Sequence, residues 1–369
     1  MVRKFFILFV AGILFVALLF NWTSVQAQST SELIPIPVAL SSENYGSTYH
    51  PADLTQSDDP TIGRGIVGAD NRTPVTAETF PWSAIGRIDW VINGEEHGKC
   101  TGTLIGRDLV LTNSHCLFYN DPQNNQFYRI NQIVFKPNMI GNDFVDKATV
   151  VERVPGWDSN FNGYSDDWAL LRIDRTLGDK YGYLGWRELD FSDPSVLSSL
   201  HDQVRLAGYS GDYPTRKQRE ANGLEGEENQ TAGVHIGCNI EGSSEGLGIA
   251  FSADGTGRYG ATDEQAIKGL IIHNCDTTGG ASGSTILAKF DDGNYYIIGI
   301  HAGWNLFDES TLPTGSSREI CRITKYDDEG DLIYDPEDDL VYDSVGICRN
   351  RAVQASRWAT QAAAMRTSS

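Results

Sequence analysis

From Phe80 onward the apolar residues come in short runs, each closed by glycine, asparagine or aspartate. "WSAIGRIDWVI" followed by "NGEE", "TGTLIG", "DLVLTNS", "NQIVFKP", "WALLRI", "QVRLAGYS", "AIKGLIIHN" and "YYIIGIHAG" are the main ones. Short alternating runs suit a half-buried pleated surface, and many of them with turn residues between predict an all-β barrel or sandwich. Only the tail, "RAVQASRWATQAAAMR", reads as a helix over about 350–366, Ala-rich with Val353, Trp358 and Ala362 on roughly one side.

The N-terminus is of a different kind. Arg3 and Lys4 precede an unbroken apolar run from Phe5 to Phe20, and Val25-Gln26-Ala27 supplies small residues at cleavage spacing. This predicts a secretory signal peptide, residues 1–27, in preference to an uncleaved membrane anchor. Residues 28–65 are rich in Ser, Thr, Pro and Asp without periodicity and read as a propeptide or flexible leader. The remainder, 66–369, forms the globular part. Export to the extracellular space, or to a periplasm, makes the six cysteines informative. Cys100, Cys116, Cys238, Cys275, Cys321 and Cys348 are even in number and lack the C-x-x-C pairs of a zinc site, so three disulfides are expected. A net charge of −20 disfavours nucleic acid and acidic membrane surfaces and favours solubility.

One local repeat stands in "YDDEGDLIYDPEDDLVYD", where Tyr326–Ile333 and Tyr334–Val341 are near copies. Each couples an acidic turn to an apolar pair, which suits a hairpin. Cys321 and Cys348 bracket the insert, and a disulfide between them would close it. Its acidic residues, 326–343, offer a structural calcium site at best, because their spacing matches no EF-hand loop. No other metal and no cofactor is expected.

Hydrolysis by a serine needs a base, a group to orient the base, and donors for the oxyanion. His115 ends "DLVLTNSHC", where a buried strand runs into a turn. A bridge from Cys100 across a hairpin to Cys116 would brace that turn. An acid must be held at the edge of an apolar strand, and "SDDWALLRI" offers Asp166 and Asp167 without choosing between them. Ser282 lies in the glycine-rich "GGASGS", where the N–H groups of Gly280 and Ser282 itself are candidate oxyanion donors. His97, His201, His235 and His273 show no ligand spacing such as H-E-x-x-H, so a zinc hydrolase has little support.

On these motifs the sequence resembles the chymotrypsin-like (trypsin-fold) serine peptidases, and within them the bacterial glutamyl endopeptidase branch. "LTNSHC", "DWALL" and "TTGGASGS" carry the resemblance, which runs from about Ile66 to the C-terminal helix. It implies two perpendicular antiparallel β-barrels with the active site between them and a closing C-terminal helix. Barrel 1 would span about 66–180 and barrel 2 about 181–348. It implies His115, Asp167 and Ser282 as the triad, choosing Asp167 over Asp166, and it implies the Cys100–Cys116 bridge. Cys238 then pairs with Cys275 by elimination and because their flanks fall in neighbouring parts of the second barrel, leaving Cys321 with Cys348. The implied activity is secreted endopeptidase action on protein or peptide substrates by a monomer, with no nucleic acid and no membrane involved after signal removal. A catalytically silent binding homologue is the competing class, and the complete triad argues against it.

The chain departs from the trypsin branch at Ala281, where that branch has an aspartate that receives the new N-terminal amine after zymogen cleavage. "RGIVGADNR" still resembles a mature N-terminus, with Arg64 or Gly65 the last propeptide residue, so activation must work differently. For specificity, Thr277 and His301 match the glutamyl branch and would offer a hydroxyl and an imidazole to a substrate carboxylate. Asp276, six residues before Ser282, is where trypsins place the acid that reads Arg or Lys. If it pointed into the pocket, an Arg/Lys or broader preference would follow. His301 tips the expectation toward Glu.

Overall fold

A computed structural model describes residues 36–56, 70–121, 126–157, 164–245, 247, 269–306, 320–325, 327, 332–336 and 340–367. The signal segment 1–27, the expected cut at Arg64 and much of the acidic insert lie outside these residues. No helix among the described residues is long and apolar enough to cross a membrane.

The all-β expectation holds. Strands Ile85–Ile92, Glu95–Leu104, Leu109–Thr112, Gln132–Pro137, Ala148–Pro155 and Ala169–Ile173 close into a six-stranded barrel. Its first hairpin turns on Asn93-Gly94, both at positive φ (54° and 87°). Such a two-residue loop matches the right-handed twist of the flanking strands. Ile88, Leu104, Val110, Phe135 and Leu171, which the register puts on one face of these strands, are fully buried, each contributing roughly 1.5–3 kcal/mol of hydrophobic stabilisation.

The second unit is a curled half-barrel. Its sheet runs Ile240–Ser243, Leu270–His273, Tyr342–Gln354, Tyr295–Leu306, Thr285–Lys289, Val204–Gly208, Gly233–Cys238 and Arg72–Pro74. The Cys238–Cys275 bridge, Cα–Cα 4.9 Å, ties Gly233–Cys238 to the turn after Leu270–His273. The insert between Cys321 and Cys348 shows hairpin pairing where it is described: Tyr334 bridges Leu340 antiparallel, and Ile323 faces Asp343 in register. The side chains of Cys321 and Cys348, and hence their expected bridge, lie outside the described residues.

Two boundaries differ from the sequence reading. The helix begins later, at Ala359–Thr367, and "RAVQ" continues the strand Tyr342–Gln354. Val353 is buried between Leu270 and Ile300 across two ladders, so tertiary pairing of a β-branched residue overrides the apparent helical periodicity. Residues 36–56, within the segment composition reads as a leader, are built into the fold. Their strand Ser41–Gly46 runs antiparallel to Gly185–Leu189, which in turn lies parallel to Tyr295–Leu306.

The helix packs Ala359, Ala362 and Met365 into the core, and Trp358 just before it is buried beside them. On its last turn Arg366 donates to the carbonyls of Ile105, Leu184 (2.8 Å) and Ser47 (2.8 Å). Its guanidinium lies 4.6 Å from the centre of the Trp186 ring, and burial lowers its pKa to about 10.

Candidate active site

His115 opens a single 3-10 turn, His115–Leu117, directly after the buried strand Leu109–Thr112. Cys116 in that turn is bridged to Cys100 on Glu95–Leu104, Cα–Cα 6.1 Å, which pins the turn to the barrel wall. The neighbouring residues fasten it to the acid's strand. Asn113 Nδ2 donates to the Asp167 carbonyl (2.6 Å) and Ser114 Oγ to the Trp168 carbonyl (2.6 Å).

This stitching places the acid. The Asp167 carboxylate accepts the His115 backbone N–H (2.9 Å) and lies 2.7 Å from His115 Nδ1. Burial opposes ionisation of Asp167, but the charge and both hydrogen bonds of His115 outweigh it and hold the carboxyl below its usual range. Asp166 turns elsewhere and pairs with Arg357.

Ser282 sits in a turn between Leu270–His273 and Thr285–Lys289. Gly280 has φ +94°, and a Cβ there would come within 2.8 Å of Asn229 Nδ2 and the Tyr209 carbonyl, so glycine is required. Among the described residues, neither the Gly280 nor the Ser282 N–H donates to a protein acceptor. Ala281 is fully buried without a charge to offer. His115, Asp167, Thr277, Ser282 and His301 line one cleft of about 380 Å³ together with Trp157, Tyr164 and Arg351.

Asp276 is not in that lining, a correction to its place among the expected substrate-binding residues. Its carboxylate is buried, 2.8 Å from His235 Nδ1, and accepts from the Asn71 N–H (3.4 Å). The pairing with a histidine 41 residues away turns it from the pocket.

His301 is buried, with Nδ1 3.3 Å from His273 Nε2. The Cys275 N–H donates to His273 Nδ1 (3.2 Å), so neutral His273 carries its proton on Nε2 and donates to His301 Nδ1. The His301 proton is thereby left on Nε2. Burial first, then the charges of His273, Arg351 and His115, hold the His301 pKa well below its ordinary value. Burial and His235 lower that of His273 to about 3. The sign of the pH effect follows. An unfolded histidine protonates near pH 6.5 while the buried one stays neutral, so stability is full above that pH and falls as the pH drops toward 3. Unfolding free energy measured in urea should decline between pH 6.5 and 4, and His273→Gln should flatten the slope by about 1.4 kcal/mol per pH unit.

Two features escaped the sequence reading. Arg351 donates to the carbonyls of Trp304 (3.0 Å) and Ala302 (3.3 Å) and lies 4.3 Å from the centre of the Tyr164 ring. Its presence in the cleft depends on a register shift opposite Gly303, which no local pattern announces. Arg72 is buried against Asp70 (2.9 Å) and Asp212 (2.8 Å) and stacks over Tyr213 at 4.4 Å. Asp212 also accepts the hydroxyl of Thr278, a cleft residue, so Arg72 supports the pocket wall.

A closed barrel carrying a His–Asp pair, facing a half-barrel that carries a serine in a glycine turn, defines the chymotrypsin-like class. The chain belongs to the trypsin-like peptidase domain family, whose model matches residues 100–300. Among curated proteins it is 28% identical over 141 residues to an extracellular metalloprotease of Bacillus subtilis, covering 36% of this chain and 42% of that protein. It is 24% identical over 115 residues to coagulation factor IX of Cavia porcellus, covering 30% and 35%. The chain thus spans well under half the length of either relative. Among solved structures it is similar to a Glu endopeptidase in complex with MPD (18% identity, TM-score 0.46, 82% of this chain and 100% of that one). It is also similar to the protease Anisep from Arthrobacter nicotinovorans (14%, TM-score 0.43, 79% and 99%). Among the described residues, the one His/Cys/Asp/Glu group close enough to hold a metal is Cys100, His115 and Cys116, and its two sulfurs are joined in a disulfide.

Proposed function

We propose that the chain is a secreted serine endopeptidase acting through His115, Asp167 and Ser282, with a preference for Glu at the cleaved bond. The observation that carries the reading is the His115–Asp167 pair opening on the same cleft as Ser282. Ser282 Oγ attacks the scissile carbonyl carbon as His115 Nε2 takes its proton. Asp167 holds the ring and stabilises the imidazolium, while the Gly280 and Ser282 N–H groups receive the oxyanion. Collapse passes the proton from His115 to the leaving amine and leaves an acyl-enzyme, which water hydrolyses by the same steps in reverse roles.

For specificity, Thr277 Oγ1 and His301 Nε2–H present donors to a substrate carboxylate, and the Asp276 acid that would attract Arg or Lys is turned to His235. A neutral imidazole already carrying its proton on Nε2 needs no proton uptake to donate. A hydrogen bond to a charged group contributes about 1.5–3 kcal/mol. His301→Ala should therefore lower kcat/KM for Glu peptides by about ten- to a hundred-fold while changing other peptides little. A peptide library is the test: cleavage after Arg or Lys, untouched by His301→Ala, would overturn the Glu preference. Export, removal of residues 1–27 and processing near Arg64 belong to the same reading, and N-terminal sequencing of secreted protein checks them.

A further inference from the structure

Residues 36–56 dock on a surface built to take an extended strand. At one end Ile36 is fully buried, donating to the Lys289 carbonyl (2.9 Å) and accepting from the Asp291 N–H (2.8 Å). Along Gly185–Leu189, Ser41 pairs with Leu189, Tyr45 with Arg187 and Gly46 with Trp186. Arg187 is buried between two rings, Tyr45 and Tyr296, each centred 4.0 Å from its guanidinium carbon. Gly46 passes so close to Trp186 that a Cβ would lie 2.5 Å from the indole. Thr48 Oγ1 then donates to the Tyr295 carbonyl (2.9 Å) and accepts the Gly185 N–H (2.9 Å). Tyr49 exchanges backbone hydrogen bonds with Tyr183, and the Phe80 N–H donates to Thr55 (2.8 Å).

We infer that residues 36–56 are a permanent strand of the working protein, held without a covalent link if the chain is cut between 57 and 69, and not a removable inhibitor. Three observations carry this. None of these residues lines the cleft, so the segment does not act by blocking it. Its loss would bare one edge of Gly185–Leu189, whose other neighbour is Tyr295–Leu306. Unpaired edges of this kind are aggregation sites. It would also strip one ring from the buried Arg187 and open the apolar cluster of Ile36, Leu189, Phe191 and Phe290. No cysteine lies in residues 28–64, so retention must rest on these contacts alone.

The test uses the full chain with a specific protease site inserted between residues 57 and 69, so its outcome is independent of the proposed cleavage preference. After cutting, gel filtration and intact-mass measurement should find the leader co-eluting one to one with the larger fragment. Refolding the larger fragment alone should lower the melting midpoint by about 10 °C, and a synthetic peptide of residues 34–56 should restore it. Gly46→Val should release the leader from the cut protein. The proposal is overturned if the leader separates on cutting with the melting midpoint unchanged, or if Gly46→Val leaves it bound at the wild-type midpoint.

Discussion

Replacing Ser282 with alanine is expected to lower kcat by about a million-fold and to abolish labelling by a serine-directed phosphonate. Unfolding free energy should move by no more than about 0.5 kcal/mol. The asymmetry follows from how the turn is held. The Ser282 carbonyl accepts the Thr101 N–H (2.8 Å) and the Gly283 N–H donates to His301 (2.9 Å), so the backbone stays in place without the hydroxyl. Titrating the variant with phosphonate and following its denaturation in urea read the two effects separately. Turnover surviving in the alanine variant would remove Ser282 from the mechanism.

Arg72→Met should be the most damaging change outside the cleft. It leaves Asp70 and the fully buried Asp212 without the guanidinium that offsets their charge. Breaking a buried pair from one side costs about 3–5 kcal/mol. Since Asp212 also holds Thr278, the pocket wall should loosen too, raising KM for Glu peptides more than it lowers kcat. Arg72→Lys keeps the charge but loses the fork that grips Asp70 at two nitrogens, and should fall between the two. Urea midpoints together with the KM and kcat of all three proteins check the order. A loss of stability with unchanged KM would confine Arg72 to the fold.

The sequence was most readable where chemistry and strand pattern coincide within a few residues. His115 stands in the turn three residues after Leu109–Thr112, Asp167 two residues before Ala169–Ile173, and Ser282 in its glycine turn, so each segment marks its candidate, although only the family resemblance separates Asp167 from Asp166. The Cys100–Cys116 pairing came instead from the family resemblance and Cys238–Cys275 from elimination and neighbouring flanks, and both bridges are present. What was not legible depends on partners far along the chain. The direction of Asp276 is set by His235, and the role of Arg72 by Asp212, 140 residues later. Residues 36–56 look featureless because their order comes from Gly185–Leu189 and from Asp291, not from any period of their own. The tail misled for the opposite reason, since the alanines of the true helix extended its apparent reach back over Val353.

Arg366 joins carbonyls that precede it in the chain by 319, 261 and 182 residues. A ribosome makes those three segments first and the guanidinium that joins them last. The barrel, the connection at Leu184 and the strand ending at Gly46 can each begin to form during synthesis, but their common fastening waits for the final turn of helix. Closure of this peptidase therefore waits for a residue made after all three of the segments it fastens.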